Sequence, residues 1–279
     1  MRTIVHLSDL HFGRLDPRVV DPLAAAIGAI TPDLVAVSGD LTQRARRRQF
    51  VEARAFLDRL PFPRLVVPGN HDIPLFDVAR RLLSPLARYR RFVAEVVEPM
   101  HADGEIIVLG LNSARSLTLG EGRLNARQVR HAVERLRTAE PHPIKIIVTH
   151  HPFDLPDDYD AHRIVGGARM AMTELASVGA DLFLAGHLHV SHIGHTAERY
   201  RIAGHSALIV QAGTISTRRR GEVNSFNVLR VNRPRIVVER WSWDEAGLAF
   251  VEASARAFRH TEDGWIAEDA SARSHDDDV

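Results

Sequence analysis

Two carboxylates, one amide and four imidazoles (Asp9, His11, Asp40, Asn70, His150, His187 and His189) each fall just after a short aliphatic run. Brought together without counter-ions, such groups would repel one another and resist desolvation, whereas divalent cations resolve the conflict. Seven donors exceed one tetrahedral zinc site and suit two ions about 3.5–4 Å apart that share a bridging carboxylate. The chain has no cysteine, which removes thiolate ligands, disulfides and cysteine nucleophiles together. Oxygen and imidazole donors without sulfur point to Mn²⁺ or Fe, with Zn²⁺ also compatible, and the histidines argue against a site for Ca²⁺ alone. His71 and Asp72 follow Asn70 directly and add a titratable pair beside the set.

Several strands must end at one edge to deliver these groups. Aliphatic runs over residues 4–7, 34–37, 65–67, 106–111, 144–148 and 182–185 read as buried strands. The first, second, third, fifth and sixth close at once in the Asp, Asn and His residues of the set, and ligands of open α/β sheets bind beyond the carboxyl ends of strands. Asp9 and His11, two apart, point to one side of an extended segment. Asp16-Pro17 is a cap and first-turn pair for a helix through about Ile30. Residues 44–60 carry Phe50, Ala53, Phe56, Leu57 and Leu60 at helical spacing. Helices are also expected over 75–100, broken at Pro85 and Pro99, and over 125–138 and 168–178. Beyond His192 the pattern turns to antiparallel strands, at 191–202, 207–211, 225–231 and 236–243. Residues 1–267 read as one domain and 268–279 as a disordered acidic tail.

Charge is nearly balanced, with 36 basic against 35 acidic residues, so the chain lacks the footprint of a nucleic-acid binder. A hydrophobic content of 45% supports a substantial core. Neither a signal-peptide region nor an apolar run of about 18 to 20 residues is evident. A cytoplasmic protein without membrane insertion is expected.

Asp9-Leu10-His11, Gly39-Asp40, Gly69-Asn70-His71-Asp72, His150 and Gly186-His187-Leu188-His189 resemble the full set of blocks of the calcineurin-like metallophosphoesterases, from about residue 3 to 230. The resemblance implies an α/β fold, a four-layer αββα sandwich with two central mixed sheets and a dinuclear site along one edge. Asp9, His11, Asp40 and His189 would hold one metal, and Asp40, Asn70, His150 and His187 the other. His71 would be the catalytic histidine at the leaving group, and Asp72 would orient it through its other ring nitrogen. A hydroxide bridging the metals would attack phosphorus in line.

Within the family, the Asn-His-Asp triplet, His150-His151-Pro152 and the compact length are most similar to the bacterial cyclic-nucleotide and glycerophosphodiester phosphodiesterases. A small phosphate diester is therefore the expected substrate. A phosphomonoesterase or a nucleotide or lipid pyrophosphohydrolase is the alternative, since one metal core serves them all. A nuclease would need a further DNA-facing domain, and a non-catalytic scaffold would tend to have lost ligands.

Singly, these residues have plainer explanations: Asp9 or Asp40 as helix caps, Asn70 as a turn former, His150 as a buried histidine. Their joint occurrence in order favours the metal site. His151 reads as support or loop packing, and His6, His195 and His205 as structural, with His205 placed to approach the cleft. Arg218-Arg219-Arg220 reads as surface charge. Arg123 and Arg163 are candidate phosphate contacts, because a guanidinium fork matches phosphate oxygens. The loop 152–162 and the segment 120–123 are placed to shape substrate choice.

Overall fold

Alternation along the first strands sorts the molecule into layers. On β1 (Arg2–Leu7), Val5 and Leu7 pack with helices while Ile4 faces a second sheet; on β2 (Leu34–Val37), Val35 and Val37 go one way and Leu34 and Ala36 the other. Both faces are covered, so these strands are nearly continuous in apolar residues. The computed structural model describes residues 1–118, 120–137, 143–156, 159–200, 202 and 205–268. The expected acidic tail lies, apart from Glu268, outside them.

The first sheet adds β3 (Arg64–Val66), β10 (Ser225–Asn232), β11 (Arg235–Asp244), β12 (Ala249–Thr261) and β13 (Gly264–Ala267), in the order β13-β12-β11-β10-β1-β2-β3. β1, β2 and β3 run parallel, and β10 joins β1 antiparallel. The second sheet holds β4 (Met100–Ala102), β5 (Ile106–Gly110), β6 (Ile144–Val148), β7 (Ala180–Ala185), β8 (His192–His195) and β9 (Leu208–Gln211). Its order is β4-β5-β6-β7-β9-β8, with β5, β6, β7 and β9 parallel.

Ile4, Leu34, Leu65, Val108, Ile146, Leu184 and Phe258 belong to the dry layer between the sheets. Outside the first sheet, α1 (Pro17–Ile30) buries Val19, Leu23 and Ile27, and α2 (Arg47–Asp58) buries Phe50, Ala53, Phe56 and Leu57. Full burial of a Val, Leu, Ile or Phe side chain stabilises by about 1.5–3 kcal/mol. Outside the second sheet, α5 (Ala126–Leu136) and α6 (Ala168–Ala176) present Val129, Leu136, Met172 and Leu175. The architecture is thus the four-layer sandwich. Capping follows the sequence: Asp16 accepts from the Arg18 amide at 3.0 Å, and Asn125 from the Gln128 amide at 3.0 Å.

Three segments differ from expectation. Residues 75–100 form only two six-residue helices, α3 (Val78–Leu83) and α4 (Ala87–Phe92), and Met100 already begins β4. Pro85 interrupts between the helices, and pairing of Met100 with Leu109 draws the chain into the sheet edge. The strand expected over 191–202 stops at His195, where Thr196–Tyr200 turns helical as α7. Its Thr196 hydroxyl accepts from the Ala207 amide, 11 residues further on, at 2.8 Å. The long hairpin arm β12 was not foreseen, because its side chains are mostly exposed and show no clean two-residue alternation.

Candidate metal centre

The parallel strands of both sheets end at the same edge, and the first sheet's hydrogen bonding runs on into the loops. The Asp9 amide donates to the Gly39 carbonyl at 3.1 Å, His11 to Asp40 at 2.9 Å, and Phe12 to Leu41 at 2.8 Å. From the second sheet, the Gly186 amide donates to the His150 carbonyl at 3.0 Å. Side chains then tie the sheets together. Asp9 Oδ2 accepts from the Ser8 hydroxyl at 2.6 Å and from the His187 amide at 2.8 Å, while Asp40 Oδ1 accepts from the His71 amide at 2.8 Å.

Two clusters of donor atoms result, and both include Asp40. In one, His11 Nε2 lies 3.1 Å from His189 Nε2, 3.4 Å from Asp9 Oδ1 and 3.6 Å from Asp40 Oδ2, and His189 Nε2 is 3.0 Å from Asp9 Oδ1. In the other, His150 Nε2 lies 3.0 Å from Asn70 Oδ1, 3.3 Å from His187 Nδ1 and 3.4 Å from Asp40 Oδ2. All seven expected ligands are therefore brought together. Asp9, His11, Asp40, His150 and His189 are buried.

Tautomers decide what these contacts mean. His150 Nδ1 faces the Ser38 carbonyl at 2.8 Å and His189 Nδ1 faces the Arg218 carbonyl at 2.6 Å, so both Nδ1 atoms carry hydrogen. A neutral ring then points its Nε2 lone pair at acceptor oxygens. Only a proton or a cation reconciles that arrangement. Burial works against charge on His150, but Asp40 and Asp9 outweigh it and raise its pKa to about 9; His189 is raised for the same reason, by Asp9. Burial likewise opposes ionised Asp9 and Asp40, yet the surrounding imidazoles hold both well below the carboxylate range.

The backbone is strained at the same places. Asp9 (φ 53°), His11 (45°), Asp40 (52°), His187 (74°) and His189 (62°) account for five of the eight non-glycine residues with positive φ among those described. Concentration of a left-handed conformation that costs β-carbon residues about 1–3 kcal/mol each marks a site selected for placement of groups, not for stability. Close approach of the loops also needs Gly69, where a β-carbon would stand 2.1 Å from Asp40 Oδ1.

Asn70, His71 and Asp72 form one 3₁₀ turn. His71 Nδ1 faces the Gln43 carbonyl at 2.8 Å, leaving Nε2 toward the cluster, with the ring edge-on to His11 at 4.8 Å. This departs from the expectation that Asp72 orients that ring. Fully buried Asp72 instead accepts from the Gly69, Leu41 and Thr42 amides at 3.0, 3.2 and 2.9 Å and from the Thr42 hydroxyl at 2.9 Å. Burial and the charge of Asp40 raise its pKa to about 7, against these donors. It fastens the loop after β2 to the loop after β3.

His151 braces a neighbouring loop, with Nδ1 2.8 Å from the Ser113 hydroxyl and Nε2 3.1 Å from the Gly120 carbonyl. His6 pairs with Ser38, and His195 packs on Phe258. His205, read as structural although placed where it could approach the cleft, lies at the opposite end of the second sheet beside Lys145, Asp181 and Trp265. Among the described residues, neither Arg123 nor Arg163 touches the cluster; Arg123 is exposed and pairs through its backbone with Ser113, and Arg163 closes a 3₁₀ turn. The guanidiniums that do reach it are Arg44 and Arg218, both within 3.5 Å of His71. Their only signal in the sequence is position in loops after strand ends. A cavity of about 300 Å³ beside His71 is lined by Gln43, Arg44, Asn70, Ile73, Leu75 and Arg81.

The fold and donor set together define a class, the metallophosphoesterases. The chain belongs to the calcineurin-like phosphoesterase family, whose sequence model matches residues 2–191. A Synechococcus protein described as a probable cyclic nucleotide phosphodiesterase is 26% identical over 210 residues, covering 68% of this chain and 74% of that protein. The glycerophosphodiester phosphodiesterase GpdQ of Enterobacter lignolyticus is 32% identical over 80 residues, only 25% of this chain and 29% of that protein. Among solved structures, a dimetal phosphatase from Danio rerio superposes with a TM-score of 0.67 at 14% identity, covering 93% of this chain and 99% of that one. A purple acid phosphatase from yellow lupin gives 0.69 at 10% identity, covering 92% of this chain and 53% of that one. These two show the shared fold. Family and cluster together point to a dinuclear metal site.

Proposed function

We propose that the chain is a dinuclear-metal-dependent phosphodiesterase of small substrates, with cyclic nucleotides and glycerophosphodiesters as the substrate class. The observation that carries it is the pair of lone pairs on His150 Nε2 and His189 Nε2, each turned toward buried oxygens in a separate cluster bridged by Asp40. The donor chemistry fits one cation per cluster. Asp9, His11, Asp40 and His189 would hold one ion and Asp40, Asn70, His150 and His187 the other, with Mn²⁺ and Fe favoured and Zn²⁺ compatible. Bound there, the ions supply Lewis acidity and a nucleophile at neutral pH.

The chain's own groups do the rest. Asp40 keeps the two clusters in one frame and, through its second oxygen, holds the His71 amide. Asn70 contributes a neutral oxygen, which keeps the centre less anionic than a carboxylate would. His71, with Nδ1–H held by the Gln43 carbonyl, turns Nε2 to the cluster side, where Arg218 Nη1 lies 2.9 Å away and from where the ring would pass a proton to the leaving oxygen. The names of the two relatives favour a diester. The reading takes residues 1–267 as one cytoplasmic domain without a nucleic-acid partner; among the described residues no helix is long and apolar enough to cross a membrane.

The test is metal analysis with kcat/KM measured on cyclic nucleotides, glycerophosphodiesters, monoesters and dinucleotides in Mn²⁺ or Fe²⁺. Two ions per chain and a diester turned over at about 10⁴ M⁻¹s⁻¹ or more support it. Preference for a monoester or pyrophosphate transfers the assignment to the alternative hydrolases. Two ions with no ester turned over would indicate a scaffold.

A further inference from the structure

Arg218, Arg219 and Arg220 run in succession between β9 and β10 and have three different fates. Arg219 donates from Nε and Nη2 to Asn224 Oδ1, at 3.2 and 2.8 Å. Arg220 is exposed. Arg218 turns inward and is half-buried, with Nη1 2.9 Å from His71 Nε2 and 3.4 Å from His11 Nε2. Its main chain is pinned on both sides, the amide donating to the Ser216 hydroxyl at 3.2 Å and the carbonyl accepting from His189 Nδ1.

Across the same imidazole stands Arg44, whose Nη1 is 3.3 Å from His71 Nδ1. Among the described residues no carboxylate lies within ion-pair distance of either guanidinium; the described partners of Arg44 and Arg218 Nη1 are imidazole nitrogens and the Gln43 carbonyl. Two guanidiniums converging on one imidazole repel each other, and half-burial weakens the screening that water would provide. The nearest opposite charges are the Asp40 and Asp9 carboxylates, which the centre's donor set commits to cations, so an anion on the guanidinium side would relieve the pair. Arg218 also has the build to meet one, since a fixed backbone carries a planar fork whose Nη1 contacts are imidazole nitrogens that an oxyanion can replace without breaking an ion pair.

We propose that Arg218 is a substrate-contacting residue, whose guanidinium binds the non-bridging oxygens of the phosphoryl group on the His71 side of the centre, with Arg44 as the second cation. The inference rests on the phosphoesterase reading above. It implies that inorganic phosphate, a mixture of mono- and dianion near neutral pH, competes at the same guanidinium.

Arg218→Gln and Arg218→Lys decide it in the metal-loaded protein, using metal analysis, calorimetric titration with inorganic phosphate, and kcat and KM on bis-p-nitrophenyl phosphate. Arg218→Gln is expected to keep the wild-type metal content, because the contact to His189 comes from the main chain. It should weaken phosphate binding and raise KM by about tenfold or more, with a smaller change in kcat. Arg218→Lys should recover part of the loss, as the charge returns without the fork. Unchanged phosphate affinity and KM overturn the proposal. Metal loss in Arg218→Gln also overturns it, since the residue would then serve the ligand histidines. If the wild-type protein turned over no ester, the functional reading would fall, while the phosphate titration would still decide the Arg218 contact.

Discussion

Asp72 is predicted to act on stability before it acts on chemistry, and Asp72→Asn separates the two. The substitution preserves shape and one acceptor oxygen, which can stay with the Thr42 amide and hydroxyl, both at 2.9 Å. The new amide nitrogen then replaces Oδ2, which now accepts from the Gly69 amide at 3.0 Å and the Leu41 amide at 3.2 Å. Two buried backbone donors lose their acceptor and face another donor instead. At about 1–3 kcal/mol for each of the two orphaned groups, the loss is roughly 2–6 kcal/mol. With a urea m-value of about 3 kcal/mol/M for a domain of this size, the unfolding midpoint should fall by roughly 0.7–2 M. Trp241, Trp243 and Trp265 provide the fluorescence signal. His71→Ala is the control: its side chain is not fully buried, so turnover should drop by about 10² or more while the midpoint hardly moves. If Asp72→Asn left the midpoint within about 0.3 M of wild type yet lost activity to the same degree as His71→Ala, Asp72 would be acting through the His71 ring and the loop-fastening argument would be wrong.

Asp40 stands in both donor clusters, so Asp40→Ala should bind neither ion, whereas His189→Ala should keep the ion of the other cluster; equal metal loss by mass spectrometry would refute a bridging role. Gly69→Ala puts a β-carbon 2.1 Å from Asp40 Oδ1 and 2.3 Å from its amide, and should lower metal content and melting temperature together; wild-type metal binding would show that the loops can yield. His6 is buried with Nδ1 unpartnered, and burial lowers its pKa to about 3 from an ordinary 6.5. The unfolded chain therefore binds a proton that the folded one refuses, so this contribution is complete above pH 6.5 and is lost as pH falls toward 3. At pH 4.5 the loss is on the order of 2–3 kcal/mol, and His6→Gln, which does not titrate, should show a correspondingly smaller stability difference between pH 7.5 and 4.5; an unchanged difference would assign acid sensitivity elsewhere.

Much of this molecule is legible along the chain because the relevant physics is local. Buried strands need unbroken aliphatic runs, helix starts need residues such as Asp16 and Asn125, and five strand ends in order carry the donors of the centre, so the strands and the seven converging side chains could be read from spacing, while the layers followed from the family resemblance that those donor blocks carry. Three things could not be. The hairpin arm β12 is mostly solvated, so no alternation announces it. The partner of His71 Nδ1 is a backbone carbonyl, that of Gln43, and a carbonyl is present at every residue and thus leaves no mark in a sequence. Asp72, adjacent to His71 in the chain, points to amides of another loop, because in a 3₁₀ turn neighbouring side chains diverge. Arginine placement is the sharpest case. Arg123 and Arg163 sit near strand ends and stay clear of the cluster, while Arg218, one of three equal-looking neighbours, reaches a histidine 147 positions away. Residue type determined which chemistry was available; the packing of loops from two sheets against one another decided which side chains face it.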